Sequence, residues 1–512
     1  MDAHLNPAEN QAPLTLWGTR LVIVVLAVAL VALTVPNGVW TDPVERDASV
    51  LLYVGQHLLR GGTPYQTFVY FHPPGRLLVG LLWALGERLS GVSIVQVARA
   101  YNVAAGGGLL VAVYALGKEL TGRQVGGLLA AAVLPGLGTL HTLISGPNVK
   151  LTTTLLMALG LWMAQRRRWL WAGALTTLAA TTWWLAGVTL AAVGLAAILQ
   201  REHPRREVVV RVALGAGLVV GLFGVGLALL GVLGDVYRQT VAATARYMLR
   251  DGLETPPTNV LREGSLLVGR KGLLALVAGF GLAVTLVTRG AGKALRAPEA
   301  SVLLLSAPLM MAVLASDFPP GVADLVTLVP VLAVFGAQAL TFALDKVGET
   351  GVGRLRPTLE GVVLGVVICS SVAYGVLGAA RYDEPVTSLA QQQAQADQLV
   401  GLLESGQSVQ SVGNLWFHVL SGHDNATPIV QFGRKANHAA KLMDIRSQDW
   451  VRMLRASEPV VVMFQSNLPM PARVSNWLDE DYVLLGTLNG QKLYVDQDHP
   501  EIEMAVRSWI EA

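Results

Sequence analysis

Apolar runs of near-membrane length recur along this chain, near residues 15–35, 95–117, 124–140, 151–165, 168–184, 185–200, 208–233, 272–288, 300–315, 322–344 and 358–379. A bilayer core about 30 Å thick asks for about 20 apolar residues per helix, so each run reads as a spanning helix. Short polar links join most of them. One stretch breaks the pattern: residues 41–76, TDPVERDASVLLYVGQHLLRGGTPYQTFVYFHPPGR, directly after the first run. So long a polar loop, rich in Asp, His, Arg, Tyr, Gly and Pro, points to chemistry at a membrane surface rather than to a connector. From about 380 the pattern changes again. Helical stretches at 387–404, 447–456 and 471–478 alternate with β-rich runs (VQSVG, PIVQF, VVVMF, YVLLGTL, KLYVD), the signature of a small α/β layer domain.

Charge sets the topology. The segment 75–90 (GRLLVGLLWALGERLS) is short and carries Arg76, Glu87 and Arg88. If it lies in the interface instead of crossing, the basic loops fall on one side: Lys118 and Arg123, Arg166 to Arg168, Arg201 to Arg206, Arg289 to Arg296, and Lys346 to Arg356. Short cytoplasmic loops collect Lys and Arg, so that side is the inside. The sequence thus predicts a polytopic α-helical membrane protein of about eleven transmembrane helices, with surface helices in the first outer loop and a C-terminal soluble α/β domain. The division is 1–379 and 380–512, in a multi-pass protein of the plasma membrane with its amino terminus cytoplasmic and its C-terminal domain extracytoplasmic. No small-residue cleavage site follows the first run, so the first span is expected to be retained.

Composition agrees. Of 512 residues 53% are hydrophobic and only 14% charged, against about 25% in soluble domains. A net charge of +3 gives no reason to expect nucleic acid as a partner. Cys369 is the sole cysteine, which excludes an intrachain disulfide and a cysteine-based metal site.

Within the first outer loop, DASVLLYVGQHLLRGG has helical spacing. Val50, Leu51, Val54, Leu58 and Leu59 fall on one face, and Ser49, Gln56, His57 and Arg60 mostly on the other. Asp47 opens it, either as an N-cap or as a carboxylate able to take a proton from an acceptor hydroxyl; Asp42 and Glu45 compete for that second role. Pro73 and Pro74 stiffen the backbone and fix His72, which with Arg76 four residues on could hold a phosphate at headgroup level.

The run DASVLLYVGQHLLRGGTPYQTFVYFHPPG resembles the first loop of membrane-embedded glycosyltransferases of the C-type fold, nearest to protein O-mannosyltransferases and bacterial lipid-linked-sugar transferases. Asp47, Gly61, Pro64, Tyr65, His72, Pro73 and Pro74 carry the resemblance. It implies transfer of a hexosyl or pentosyl unit from a polyprenyl-phosphate-linked donor to an acceptor hydroxyl of a protein, glycolipid or wall glycan at the outer face. It further implies Asp47 as general base, with His72 and Tyr65 on the donor side.

Two departures stand beside it. Many relatives carry an acidic residue in the second outer loop, where this chain has SGPNVK with Asn148 and Lys150, and the positions after Asp47 and Tyr65 are Ala48 and Gln66. A metal held by paired carboxylates is accordingly disfavoured, and no cofactor is expected.

Elsewhere, Arg246 and Arg250 in the basic stretch 234–271 stand one helical turn apart, placed to meet a donor phosphate. Asp324 near the tenth span is either an acceptor contact or a helix cap. His418, His423 and His438 match no metal spacing and are expected at the surface. Two rival readings remain: a transporter or lipid flippase, which would place ionisable groups inside its spans, and a catalytically silent scaffold that binds the lipid carrier.

Overall fold

The computed structural model describes residues 16–35, 38–200, 204–250, 272–316, 324–349, 355–379, 387–431, 434–467 and 470–511. Helices occupy every apolar run named above. The first eight helices are α1 (Leu16–Thr34), α2 (Arg46–Leu59), α3 (Pro74–Ser90), α4 (Ile94–Thr121), α5 (Gln124–Ala132), α6 (Gly138–Ser145), α7 (Val149–Gln165) and α8 (Trp169–Thr182). Then come Gly187–Leu199, Arg205–Leu229, Gly272–Arg289, Pro298–Ser316, Val329–Glu349 and Arg356–Ala379. Among the described residues, five helices are long and apolar enough to cross a membrane, and with the composition this makes the chain an integral membrane protein. Exposed apolar residues line the outside of the bundle, such as Leu21, Val24 and Val28 on α1 and Leu214, Leu218 and Leu222 on Arg205–Leu229. In a water-soluble protein such surfaces would be a liability; in lipid they are ordinary.

The run at 124–140 differs from the single helix expected. It is broken into α5, a 3₁₀ turn Leu134–Gly136 and α6. Pro135 sits in that turn and cannot donate the backbone hydrogen bond a continuing helix needs. The His141 ring is hydrogen-bonded to the freed Pro135 carbonyl at 2.7 Å.

Ion pairs knit the loops at one end of the bundle. Arg123 meets Asp345 at 2.8 Å and Glu360 at 3.3 Å, Arg166 meets Glu119 at 3.6 Å, and Arg289 meets Glu299 at 3.3 Å. These are the basic loops that the charge pattern placed together. The first polar loop and the segment 141–150 meet at the opposite end: buried Arg99 of α4 donates to the carbonyls of Asp42 (2.6 Å) and Ser145 (2.9 Å).

α3 starts with Pro74 at its first position and stops at Gly91, which takes φ +70°. It exposes Leu78, Leu82, Leu85 and Leu89 along one side, and buries Leu77, Val79, Trp83 and Ala84 on the other. α2 crosses it where two glycines meet. A Cβ added at Gly55 would stand 2.2 Å from the Gly80 carbonyl oxygen, and one at Gly80 2.7 Å from that of Leu51. Backbone cannot yield there as a flexible side chain could. Gly55→Ala is therefore expected to destabilise the protein by about 2 kcal/mol, the usual scale of overpacking, read as a lower thermal midpoint in detergent.

The C-terminal segment forms a four-stranded sheet in the order β1-β2-β4-β3, with β1 Ser408–Val412, β2 Pro459–Gln465, β3 Tyr482–Leu488 and β4 Gln491–Asp496. β1 and β2 run parallel; the other neighbours are antiparallel. Asn489 and Gly490, at φ +50° and +73°, make the tight turn joining β3 to β4, a geometry suited to this residue pair. All seven residues of β2 are buried. Helices Leu389–Leu402, Ser447–Ser457 and Ala472–Asp481 stand where the sequence places them, and Trp416–Ser421, Arg434–Leu442 and Pro500–Glu511 are additional. Of the run PIVQF, residues 428–431 form no strand; near them Asn425 makes an isolated bridge, to Val409.

This segment sits directly on the first polar loop, and the two share one core: Leu51, Tyr53, Tyr65 and Phe68 pack with Leu399, Trp416, Phe417 and Leu493. The face of α2 that carries Ser49, Gln56, His57 and Arg60 is therefore largely not a solvent face. Ser49 accepts from the Leu415 amide (2.8 Å), Gln56 donates to the Val419 carbonyl (3.3 Å), and His57 and Arg60 both hold Asp424 (2.8 and 2.7 Å). His418, expected at the surface, is fully buried against the Tyr53 ring.

Burial keeps the His418 imidazole neutral and pulls its pKa from 6.5 down to about 3. Between those values the unfolded chain binds the extra proton, so stability falls as pH drops, by at most about 1.4 kcal/mol per pH unit. The melting temperature of the full chain should thus decline from pH 7 to pH 5, and His418→Phe should flatten that decline.

Candidate active site

Where the first polar loop, the segment 141–150 and the C-terminal segment meet, they enclose a cavity of about 960 Å³. Glu45, Asp47 and Asn148 line it from one side, and Gln392, Gln465 and Asn489 from the other. Asp47 lies in the first turn of α2 with its side chain 62% exposed, 3.7 Å from Arg46. The N-cap position belongs to Glu45, not Asp47. Glu45 lines the same cavity, and a Cβ on Gly146 would stand 3.3 Å from its carboxylate. Partial desolvation, then the neighbouring Asp42 and Asp47, raise the Glu45 pKa above the usual carboxylate value, while Arg99 opposes the shift. Asp42 is buried and folded back over the Gly38 turn, whose missing Cβ would overlap the Asp42 carboxylate. Geometry thus sets apart one of three acids that the sequence leaves equal: Asp47 and Glu45 are both exposed and line the cavity, and Asp42 closes a turn.

Asn148 caps α7, accepting from the Lys150 amide at 3.0 Å. Lys150 is ion-paired with Asp324, which opens the 3₁₀ stretch Asp324–Leu328, and both side chains are mostly buried. This pair fastens the second loop to the helix Val329–Glu349, and neither residue lines the cavity.

His72, Tyr65 and Arg76 gather around Tyr70, whose hydroxyl also feels the charge of Asp47. The Tyr65 hydroxyl donates to the His72 carbonyl (2.8 Å), and an Arg76 guanidinium nitrogen stands 3.3 Å from His72 Nδ1. The His72 ring packs against Phe71 and Tyr70 with centroids at 4.3 and 5.2 Å. Arg76 is only 6% exposed. Its Nε and the Tyr70 hydroxyl have no hydrogen-bond partner among the described residues, nor does Arg76 have a carboxylate partner there. Gly75 lets this corner close on α8, since a Cβ there would stand 2.4 Å from Thr181 Oγ1. A buried guanidinium with no carboxylate partner among the described residues suits an anion, which would offset the cost of desolvating the charge.

A short π-helical stretch, Tyr237–Ala242, locks onto this corner. Gln239 accepts from the Tyr70 amide at 2.8 Å and donates to the Tyr65 carbonyl, and Gln66 donates to Asp235 at 2.9 Å. Tyr65 itself takes φ +63°, a strained conformation for a bulky residue that these contacts hold in place. Arg246 is exposed on the helix Ala243–Arg250, whereas the Arg250 side chain and residues 251–271 lie outside the described residues.

Sequence reasoning missed Arg99 and Gln239. Arg99 stands inside the apolar run 95–117 and Gln239 just past the run 208–233, and only that placement could have flagged them. Among the described residues no group of three or more His, Cys, Asp or Glu is placed to hold a metal ion.

No protein-family model matches the sequence, and no curated protein sequence does either. Solved structures do match. ArnT from Cupriavidus metallidurans in its apo state superposes with a TM-score of 0.61 at 14% identity, covering 93% of this chain and 98% of that one. The same protein bound to undecaprenyl phosphate gives 0.53 over the same shares at 14% identity. The oligosaccharyltransferase AglB from Archaeoglobus fulgidus, in complex with an inhibitory peptide and a dolichol-phosphate, gives 0.58 at 10% identity, covering 94% of this chain and 74% of that one. The fold is that of the C-type membrane glycosyltransferases, as the first-loop resemblance implies.

Proposed function

We propose that this chain, which has the C-type glycosyltransferase fold, moves a monosaccharide from a polyprenyl-phosphate-linked donor to an acceptor hydroxyl at the outer face of the membrane. In this reading residues 1–379 form the transferase domain, about eleven spans deep, and 380–512 an extracytoplasmic α/β domain. α3 then lies in the interface with Leu78, Leu82, Leu85 and Leu89 towards the lipid. The observation that carries the reading is the buried Arg76 beside His72 and Tyr70, lacking any counter-ion among the described residues. The polyprenyl phosphates held by two proteins of this fold are the ligand chemistry such a corner suits.

The acceptor hydroxyl enters the cavity, Asp47 takes its proton, and the oxygen forms a new bond to the anomeric carbon. The carbon–oxygen bond to phosphate breaks, and polyprenyl phosphate leaves with both bonding electrons, inverting the sugar centre. Negative charge grows on the leaving phosphate, which Arg76 and His72 stabilise. Arg246 and Arg250 stay candidates for closing over the donor.

The test is release of polyprenyl phosphate from a panel of radiolabelled polyprenyl-phosphate sugars by the purified full chain. Turnover with one sugar supports the reading. Tight donor binding without turnover of any sugar would favour the silent scaffold, a rival kept alive by Asn148 and Lys150 standing where many relatives have an acid. Movement of intact donor across a vesicle membrane would favour the flippase.

A further inference from the structure

The cavity wall contributed by the C-terminal segment has a chemistry of its own. Four side-chain amides reach it from three elements: Gln392 and Gln395 from the helix Leu389–Leu402, Gln465 from the end of β2, and Asn489 from the β3–β4 turn. Each leaves one buried polar atom without a hydrogen-bond partner among the described residues: Gln392 Nε2, Gln395 Oε1, Gln465 Oε1 and Asn489 Nδ2. Gln392 and Gln465 are only 1% and 9% exposed. The orientation of Gln392 is fixed, because its oxygen accepts the Val44 amide at 2.7 Å and its nitrogen must therefore face elsewhere. Native proteins rarely leave buried amides unpaired, since each costs about 1–3 kcal/mol until something meets it.

What would meet them is constrained. The wall offers donors and acceptors together, and none of its lining residues is charged; the charged residues of the cavity, Glu45, Arg46 and Asp47, come from the first loop. Trp509 adds a flat apolar surface, its indole N–H already donated to Gln398 at 2.7 Å. An extended peptide would be expected to pair with a strand edge; the edge strand β3 reaches the cavity only at its end, through Thr487 and Leu488, and the amides come from a helix, a strand end and a turn. They suit a ligand with hydroxyls on several sides. The volume lies within the range of about 300–1,000 Å³ usual for ligand sites.

We propose that this wall is the acceptor subsite and that the acceptor is an uncharged glycan, its hydroxyls held by Gln392, Gln395, Gln465 and Asn489. The assignment of this ligand as acceptor rests on the transferase reading above. One sugar hydroxyl is thereby turned towards Asp47 across the cavity.

The experiment uses the full chain in lipid nanodiscs and equilibrium dialysis with tritiated short linear neutral hexose and pentose oligosaccharides. A hexuronate oligosaccharide and a Ser/Thr-rich peptide serve as the charged and peptidic alternatives. The wild type should retain a neutral oligosaccharide. Gln395→Met and Asn489→Gly should each weaken it about tenfold. The glycine variant keeps the positive-φ turn while deleting the amide, so loss through misfolding of the turn is avoided. Retention of none of the neutral oligosaccharides, equal retention by the variants, or retention of the peptide or hexuronate instead would overturn the proposal. Release of polyprenyl phosphate is read separately on the same samples. Turnover without glycan binding removes the subsite and spares the transferase; glycan binding without turnover does the reverse.

Discussion

An Arg76→Met protein should bind polyprenyl phosphate about a hundredfold more weakly than the wild type while unfolding at the same temperature or slightly above it. Both halves follow from one observation: Arg76 is buried, touches His72 at 3.3 Å, and has no carboxylate partner among the described residues. Deleting one partner of a buried, hydrogen-bonded charge pair costs about 3 kcal/mol, which is about a hundredfold in affinity. With no counter-ion among the described residues, the same guanidinium carries a desolvation cost without ligand, so an apolar side chain of similar length relieves that cost and leaves no hole. Arg76→Lys keeps the charge but loses the planar fork, and should fall between the two. Donor affinity and thermal midpoint, measured together on detergent-purified protein, decide the matter. Unchanged affinity would shift the phosphate towards Arg246, and a large drop in midpoint would make Arg76 a structural residue.

Asp47→Asn should lower turnover by about a thousandfold, within the range that general-base catalysis supplies, with donor affinity unchanged. Glu45→Gln is the essential companion. The two acids line the same cavity and both residues are exposed, while partial desolvation, then Asp42 and Asp47, raise the Glu45 pKa. A raised pKa makes a carboxylate a stronger base while it stays ionised, so Glu45 is a true competitor and the paired variants decide between the two. If Glu45→Gln removes turnover and Asp47→Asn does not, the base is Glu45 and Asp47 tunes it. Asp42→Asn should chiefly disturb the Gly38 turn.

Much of this was legible in the chain because period and composition are local properties. Helices fall on every apolar run, and the basic loops that charge counting grouped are joined by ion pairs such as Arg123–Asp345. The Pro73–Pro74 turn and the glycines after α2 announced themselves for the same reason: they act on their own backbone. Legibility failed where a side chain is answered from far away in sequence. Ser49, Gln56, His57 and Arg60 look like a polar surface, yet their partners are Leu415, Val419 and Asp424, more than 350 residues on. His418 looked like a surface histidine because nothing nearby says that Tyr53 will cover it.

The sequence by itself determined that this is a many-helix membrane protein with a polar first loop and an α/β tail, since lipid forces apolar length and sheets force alternation. It also supplied the motif, from Asp47 to Pro74, that names the fold. Only the tertiary structure decided that Glu45 and Asp47 line the cavity while Asp42 closes a turn, that Lys150 is matched by Asp324, that Arg76 has no carboxylate partner among the described residues, and that four amides of the tail line the same cavity as Asp47. Burial and pairing arise between distant segments, and no local pattern encodes them.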